Sequence, residues 1–154
     1  MKITRQFSTA TACYGGISFC DGRSQLKTLT GTMGDALEHL IVPESWSQVA
    51  VDVLAQKYMR KAGVPSDTEP TAAGKAEPTS KIGSIPTALL PRRPAGDANF
   101  GAEKDARTVF DRMAGAWAYH GFAQGVFETE EDALIFRDEV VAMLAQQMAA
   151  PNSP

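Results

Sequence analysis

Two cysteines, two histidines and one acidic run carry most of the chemical capacity of this chain, and their spacing limits what they can do. Cys13 and Cys20 stand near each other with no histidine or further cysteine beside them. A zinc site takes four ligands in short paired spacings, so this pair does not read as one. A reducing compartment leaves such thiols unbridged, and both are read as ordinary thiols in or near strands. His39 and His120 lie far apart, and neither has a metal-ligand or triad partner at a telling spacing. Both are read as structural or surface residues. Glu128, Glu130, Glu131 and Asp132 cluster, but Thr129 stands three residues before Asp132. That pattern is a capping box with Asp in place of Glu, and acidic residues in a first turn suit the helix dipole. The cluster therefore reads as capping rather than as an acid site. Trp117, Tyr119, Phe122 and Phe127 could form a ligand platform, yet helical spacing and flanking glycines assign them to a core or a subunit contact. There is no phosphate loop and no dinucleotide fingerprint. The residues by themselves predict no catalytic constellation and no metal site.

The elements that would position these residues fall into five segments. Residues 1–42 read as short strands and turns. Ile3, Arg5 and Phe7 alternate with polar residues, Gly15-Gly16 and Asp21-Gly22 flank Ile17-Ser18-Phe19, and His39-Leu40-Ile41-Val42 runs to Pro43. Residues 43–65 hold a helix with its body over about 46–61. Ser45 is the expected N-cap, Trp46, Val49, Ala50, Val53, Leu54 and Tyr58 form the apolar face, and Gly63 and Pro65 form the stop. Residues 66–99 are rich in Pro, Gly, Ala, Ser and Thr and read as a flexible linker. Residues 100–154 hold two helices. The first spans about 103–119, with Ala106, Val109, Phe110, Met113, Ala114 and Trp117 on its apolar stripe, and Gly121 and Gly125 end it. Gly115 inside that helix costs roughly 1 kcal/mol relative to Ala unless close packing requires it. The second spans about 130–148, with Ala133, Leu134, Val140, Val141, Leu144 and Met148 inward and Arg137 as a polar interruption. The expected fold class is mainly α with a small N-terminal β portion, that is, α+β, built on three amphipathic helices and a Pro-rich linker.

Length and composition agree with one modest core. The chain has 154 residues, 44% of them hydrophobic and 21% charged. A net charge of −3 argues against a nucleic-acid binder, and the short basic groups Lys57, Arg60, Lys61 and Arg92, Arg93 read as solvated surface. The start is polar and lacks the apolar stretch of a secretory signal, and Val140 to Ala145 is too short to span a bilayer. A soluble, cytoplasmic protein is expected.

Three blocks carry a resemblance. The first runs from Trp46-Ser47-Gln48-Val49-Ala50 through Ala55-Gln56-Lys57-Tyr58 to Arg60-Lys61-Ala62-Gly63-Val64-Pro65. The second is Val109-Phe110-Asp111-Arg112-Met113-Ala114-Gly115-Ala116-Trp117. The third is Glu130-Glu131-Asp132-Ala133, then Met143-Leu144, then Ala149-Ala150-Pro151-Asn152-Ser153-Pro154. In this order, and with Met1-Lys2-Ile3, Arg5 and Phe7 at the start, they resemble the N-terminal region of adenosylcobalamin-dependent (class II) ribonucleotide reductases. Residues 66–99 and 119–127 depart from the family, which has more Trp, Glu and Asp in the first stretch and Trp and Lys in the second.

The resemblance implies a role in deoxyribonucleotide synthesis by a ribonucleoside-diphosphate reductase that uses adenosylcobalamin and a thioredoxin-type dithiol. In the family a cysteine thiyl radical removes the 3′ hydrogen of the ribose, and a cysteine pair supplies the reducing equivalents. Those cysteines lie on a ten-stranded barrel that follows the region matched here, and Cys13 and Cys20 do not correspond to them. The chain alone is therefore expected to be inactive and to bind no cofactor. Its expected partner is the reductase barrel or a second copy of itself, through an aromatic face of Trp46, Phe110, Trp117, Phe122 and Phe127. One residue, Ser153, resembles the family's hydroxyl residue at the substrate diphosphate, and Asn152-Ser153-Pro154 resembles the turn that leads into the barrel. The alternative is a stand-alone, non-enzymatic interaction module derived from the reductase.

Overall fold

A computed structural model describes residues 1–10, 12–24, 38–70 and 85–151. The order is β1 (Phe19–Gly22), β2 (Leu40–Pro43), α1 (Gln48–Val53), a π-turn (Leu54–Tyr58), β3 (Val64–Pro65), β4 (Thr68–Pro70), a 3₁₀ turn (Thr87–Leu89), β5 (Arg92–Pro94), β6 (Phe100–Gly101), α2 (Ala106–Ala123) and α3 (Glu130–Ala145). The strands form three antiparallel pairs, β1 with β2, β3 with β6 and β4 with β5. The result is a small mixed α/β arrangement in which α2 and α3 pack along each other and β2 and α1 close one end.

The first helix is shorter than its sequence pattern. Ser47, not Ser45, is the N-cap, because its hydroxyl accepts from the Ala50 N–H. The α-helical ladder runs only to Val53. The Met59 N–H then reaches back to the Leu54 carbonyl, and the chain leaves in an extended conformation at Met59. Side chains satisfy the carbonyls freed by this early ending. The Lys61 ammonium donates to the Ala55 carbonyl, and Arg112 donates to that of Tyr58 at 2.9 Å.

The second helix is displaced toward the C-terminus. Asp105 caps it by accepting from the Arg107 N–H, so Glu103 lies outside it, and it continues through Gly121 to Ala123. Gly121 packs inside the helix, where an added Cβ would meet Phe127 Cε2 at 2.7 Å. The left-handed turn falls at Gly125, φ 71°. The third helix begins as expected, with the reciprocal Thr129–Asp132 capping box, and ends at Ala145, where the Trp46 indole N–H donates to the Ala145 carbonyl at 2.8 Å.

The core has two parts. Leu40, Val42, Leu54, Val109, Phe110 and Val141 centre the larger, and Leu89, Ala118, Phe122, Phe127 and Ala133 form the smaller. The expected α2 stripe is buried except for Trp117, which is 44% exposed. Two expectations of irregularity and regularity change places. The Ile3, Arg5, Phe7 alternation builds no strand: Met1 bonds to the backbone of Val126 and Glu128, but Ile3, Gln6, Phe7 and Ser8 give their N–H groups to side chains of α3. The described ends of the 66–99 stretch are paired, Thr68 with Pro94 and Pro70 with Arg92, while residues 71–84 lie outside the described residues. Ion pairing supports this ladder, with Arg93 and Glu69 2.8 Å apart.

Candidate functional site

Of the residues singled out from the sequence, few come together. Cys13 sits in the turn before β1 and Cys20 on β1; both are free. Burial pushes the Cys13 thiol above its ordinary value, and the nearby Asp111 and Asp138 carboxylates add to that shift, so its thiolate is disfavoured. His39 pairs with Asp21 at 3.0 Å beside the β1–β2 ladder. The hydrogen bond and charge of Asp21 raise its pKa, and the pair is exposed to solvent. His120 is exposed and touches the Tyr119 ring edge-on. Among the described residues no group of three His, Cys, Asp or Glu side chains could hold a metal ion. Ser153 lies outside the described residues.

The proposed aromatic face is corrected by the structure. Phe110, Phe122 and Phe127 are internal, and Trp46 packs half-buried on Phe110 with ring centroids 5.7 Å apart. Only Trp117 of the five projects outward. Phe110 and Phe122 lie on the buried side of α2, Phe127 packs from the turn before α3 into the smaller core, and Trp46, just before α1, rests on the larger one.

Three carboxylates on α3 form an arrangement that sequence reasoning missed. Asp132 accepts from the Ile3 N–H at 2.8 Å, Asp138 pairs with Arg5 at 2.9 Å, and Glu139 accepts from the N–H groups of Gln6, Phe7 and Ser8, each at 2.9 Å, and from the Ser8 hydroxyl. Burial works to raise the Glu139 pKa, but the Ser8 hydroxyl and the three backbone donors outweigh it and hold the carboxyl below its ordinary value. The Thr129 hydroxyl and then the Ile3 N–H do the same for Asp132. The amino-terminal segment is thus clipped along α3 by charge-assisted bonds. A signal for it existed: positions 132 and 139 are two turns apart on one helical face.

A fourth buried acid, Glu103, joins three elements. It is 4% exposed, receives the Arg60 N–H at 2.8 Å and grips the Arg112 guanidinium in two-point fashion at 3.0 and 3.1 Å. Arg112 also donates to the Tyr58 carbonyl, which anchors the π-turn to α2. All these acids have structural partners, and none faces a cavity as an unpaired general acid or base would.

Among the described residues a surface groove of about 480 Å³ lies between α1 with its π-turn and the end of α3. Trp46, Val53, Leu54, Tyr58, Leu144 and Met148 are among its lining residues, and no Asp, Glu, Lys, Arg or His is. Such a surface suits apolar contact and offers little to a charged ligand.

Comparison with known proteins gives the arrangement its context. Residues 21–147 match the family model described as class II vitamin B12-dependent ribonucleotide reductase. The vitamin B12-dependent ribonucleotide reductase of Agrobacterium fabrum (strain C58) is 42% identical over 155 aligned residues, and that of Bradyrhizobium diazoefficiens is 42% identical over 156. Both alignments take in the whole of this chain and 12% of the relative. The chain therefore belongs to the class II vitamin B12-dependent ribonucleotide reductases, as their N-terminal region.

Proposed function

We propose that this chain is the non-catalytic N-terminal domain, residues 1–154, of an adenosylcobalamin-dependent ribonucleoside-diphosphate reductase. The observation that carries the reading is the match of the whole chain, at 42% identity, to 12% of each relative. In this reading the reductase body holds the cofactor and the radical chemistry, and a thioredoxin-type dithiol supplies reducing equivalents. The domain packs on that body and contributes to its folding or assembly in the cytoplasm. No described helix is long and apolar enough to cross a membrane.

The described residues do not fit adenosylcobalamin. The groove has an apolar lining with few partners for the amide side chains of a corrin. No step of the reaction is therefore assigned to this chain. Ser153 is proposed to contact the substrate diphosphate once the reductase body surrounds it, since a hydroxyl with neighbouring N–H groups can donate to phosphate oxygens.

The test is replacement. The Agrobacterium fabrum reductase, with its matching stretch exchanged for this chain, is expected to reduce ribonucleoside diphosphates with adenosylcobalamin and a dithiol. The purified chain alone is expected to show no turnover. A soluble, folded chimera without activity, or turnover by the chain alone, would refute the reading.

A further inference from the structure

Helix α1 puts Val51 into the core, with Leu54 and Ala55 just after it, and leaves a second apolar edge uncovered. Its apolar stripe includes Val49 and Val53, yet these are 71% and 45% exposed, while Asp52 is buried at 7%. Burial of Val51 accounts for the helix's rotation, but the two valines left in solvent form an apolar edge that gains nothing until something covers it. Val49 and Val53 instead line the groove, and on its opposite wall Met148 is 51% exposed. The groove is thus an apolar surface with exposed aliphatic side chains on both sides and no ionisable group but the Tyr58 phenol.

Two observations say what covers it. Gln147, Met148, Ala149 and Ala150 form one wall, and the Tyr58 hydroxyl donates to the Pro151 carbonyl at 2.7 Å, so the chain is pinned along the groove as it leaves α3. The relatives devote 12% of their length to this region, so most of each reductase chain lies outside it. We infer that the groove between α1 and the end of α3 is the seat of the reductase body, which inserts uncharged aliphatic or aromatic side chains between Val49, Val53 and Met148. This inference rests on the reading of the chain as the N-terminal domain of such an enzyme. It assigns the contact to α1 and the α3 terminus rather than to the aromatic residues of α2. The absence of charge in the lining excludes an acidic or basic segment as occupant, since an unpaired charge would lose its hydration there.

The experiment mixes this chain with the Agrobacterium fabrum reductase body lacking its matching stretch and measures affinity by calorimetry. Val49→Asp with Val53→Asp is expected to leave the thermal midpoint of the chain unchanged, since both side chains are exposed, and to weaken the complex at least tenfold. Phe100→Asp, 64% exposed on β6 and outside the groove, is expected to leave affinity unchanged. A complex weakened by Phe100→Asp or Trp117→Ala but not by the valine pair would overturn the groove assignment while leaving the N-terminal-domain reading in place. Self-association through the groove would likewise overturn it. No complex at all would sink both. If the body does not fold without its own stretch, amide exchange in the replacement chimera gives the same decision. Residues 49–54 and 144–150 should then exchange at least tenfold more slowly than in the free chain, and equal rates would refute the assignment.

Discussion

Replacing Glu139 by Gln changes one atom of charge-bearing side chain and tests the clip that holds residues 1–8. Oε2 receives the N–H groups of Gln6 and Phe7, and Oε1 receives the N–H and hydroxyl of Ser8. An amide has one acceptor oxygen, so its NH2 must face one of these donor pairs. The cheaper orientation puts NH2 toward Ser8, whose hydroxyl can rotate to accept, and leaves the Ser8 N–H opposed by a donor. An unmet donor costs about 1–3 kcal/mol, and the remaining bonds fall from charge-assisted to neutral strength, a loss of about 1 kcal/mol each before non-additivity. The net expectation is a loss of about 2–4 kcal/mol, bounded above by the free energy with which the arm docks at all. For a chain of this size that corresponds to a fall in Tm of roughly 5–15 °C. The assay is thermal unfolding at pH 7 combined with amide exchange. Exchange at Gln6, Phe7 and Ser8 should accelerate strongly, while Val109, Phe110 and Val141 in the α2–α3 core should change only with global stability. A Glu139→Gln chain within 0.5 kcal/mol of the parent, with unchanged exchange at residues 6–8, would refute the claim that the carboxylate organises the arm.

The pH dependence follows from the same groups. Asp132 and Glu139 have folded-state pKa values below their ordinary ones, so the unfolded chain takes up protons first. Their contribution is fully present above the ordinary carboxylate range of about 4 and is lost as pH falls through the folded values; urea midpoints between pH 6 and pH 3 should show the decline, and Glu139→Gln should flatten part of it. Two glycines of α2 should respond oppositely to alanine. Gly121→Ala drives a Cβ toward Phe127 at 2.7 Å and should cost about 1–3 kcal/mol, whereas Gly115→Ala meets nothing within 4 Å and should stabilise by about 0.5–1 kcal/mol. Equal effects in denaturant titrations would show that Gly121 is not closely packed. Glu103→Ala should destabilise by about 3–5 kcal/mol, because it strands Arg112 and the Arg60 N–H near the core; a near-neutral result would mean that water replaces the carboxylate.

The three helices, the Thr129 cap and the β2 run were legible because local spacing encodes them, whereas Asp21-Gly22, read as a turn, lies within β1. The identity of the chain was legible for a different reason: the blocks at Trp46–Pro65, Val109–Trp117 and Glu130–Pro154 resembled one family, and the match over residues 21–147 agrees with that resemblance. The boundaries were less legible. Nothing local distinguishes Ser45 from Ser47 as a cap, and Gly121 reads as a helix end until Phe127 is seen against it. The sequence also could not show that Phe110, Phe122 and Phe127 are internal while Trp117 faces out, since apolar periodicity marks a face but not what covers it.

What the amino-acid order determined by itself is therefore the three helices, the Leu40–Pro43 run and the family, while the pairing of β3 with β6 and of β4 with β5 came only from tertiary structure. Tertiary structure alone decided the roles of Glu103, Asp132, Asp138 and Glu139, because a carboxylate is buried only where distant donors converge on it. The donors for Glu139 come from residues more than 130 positions away in the chain, and Glu103 receives an N–H from Arg60. Tertiary structure likewise decided the rotation of α1. The bonds from Ser47 and Trp46 and the early π-turn fix that helix with Val51 and Asp52 inward and Val49 outward, although spacing alone reads Val49 and Val53 as part of its apolar face. Local propensity sets which residues form a helix, but contacts made across the fold set which side of it meets water.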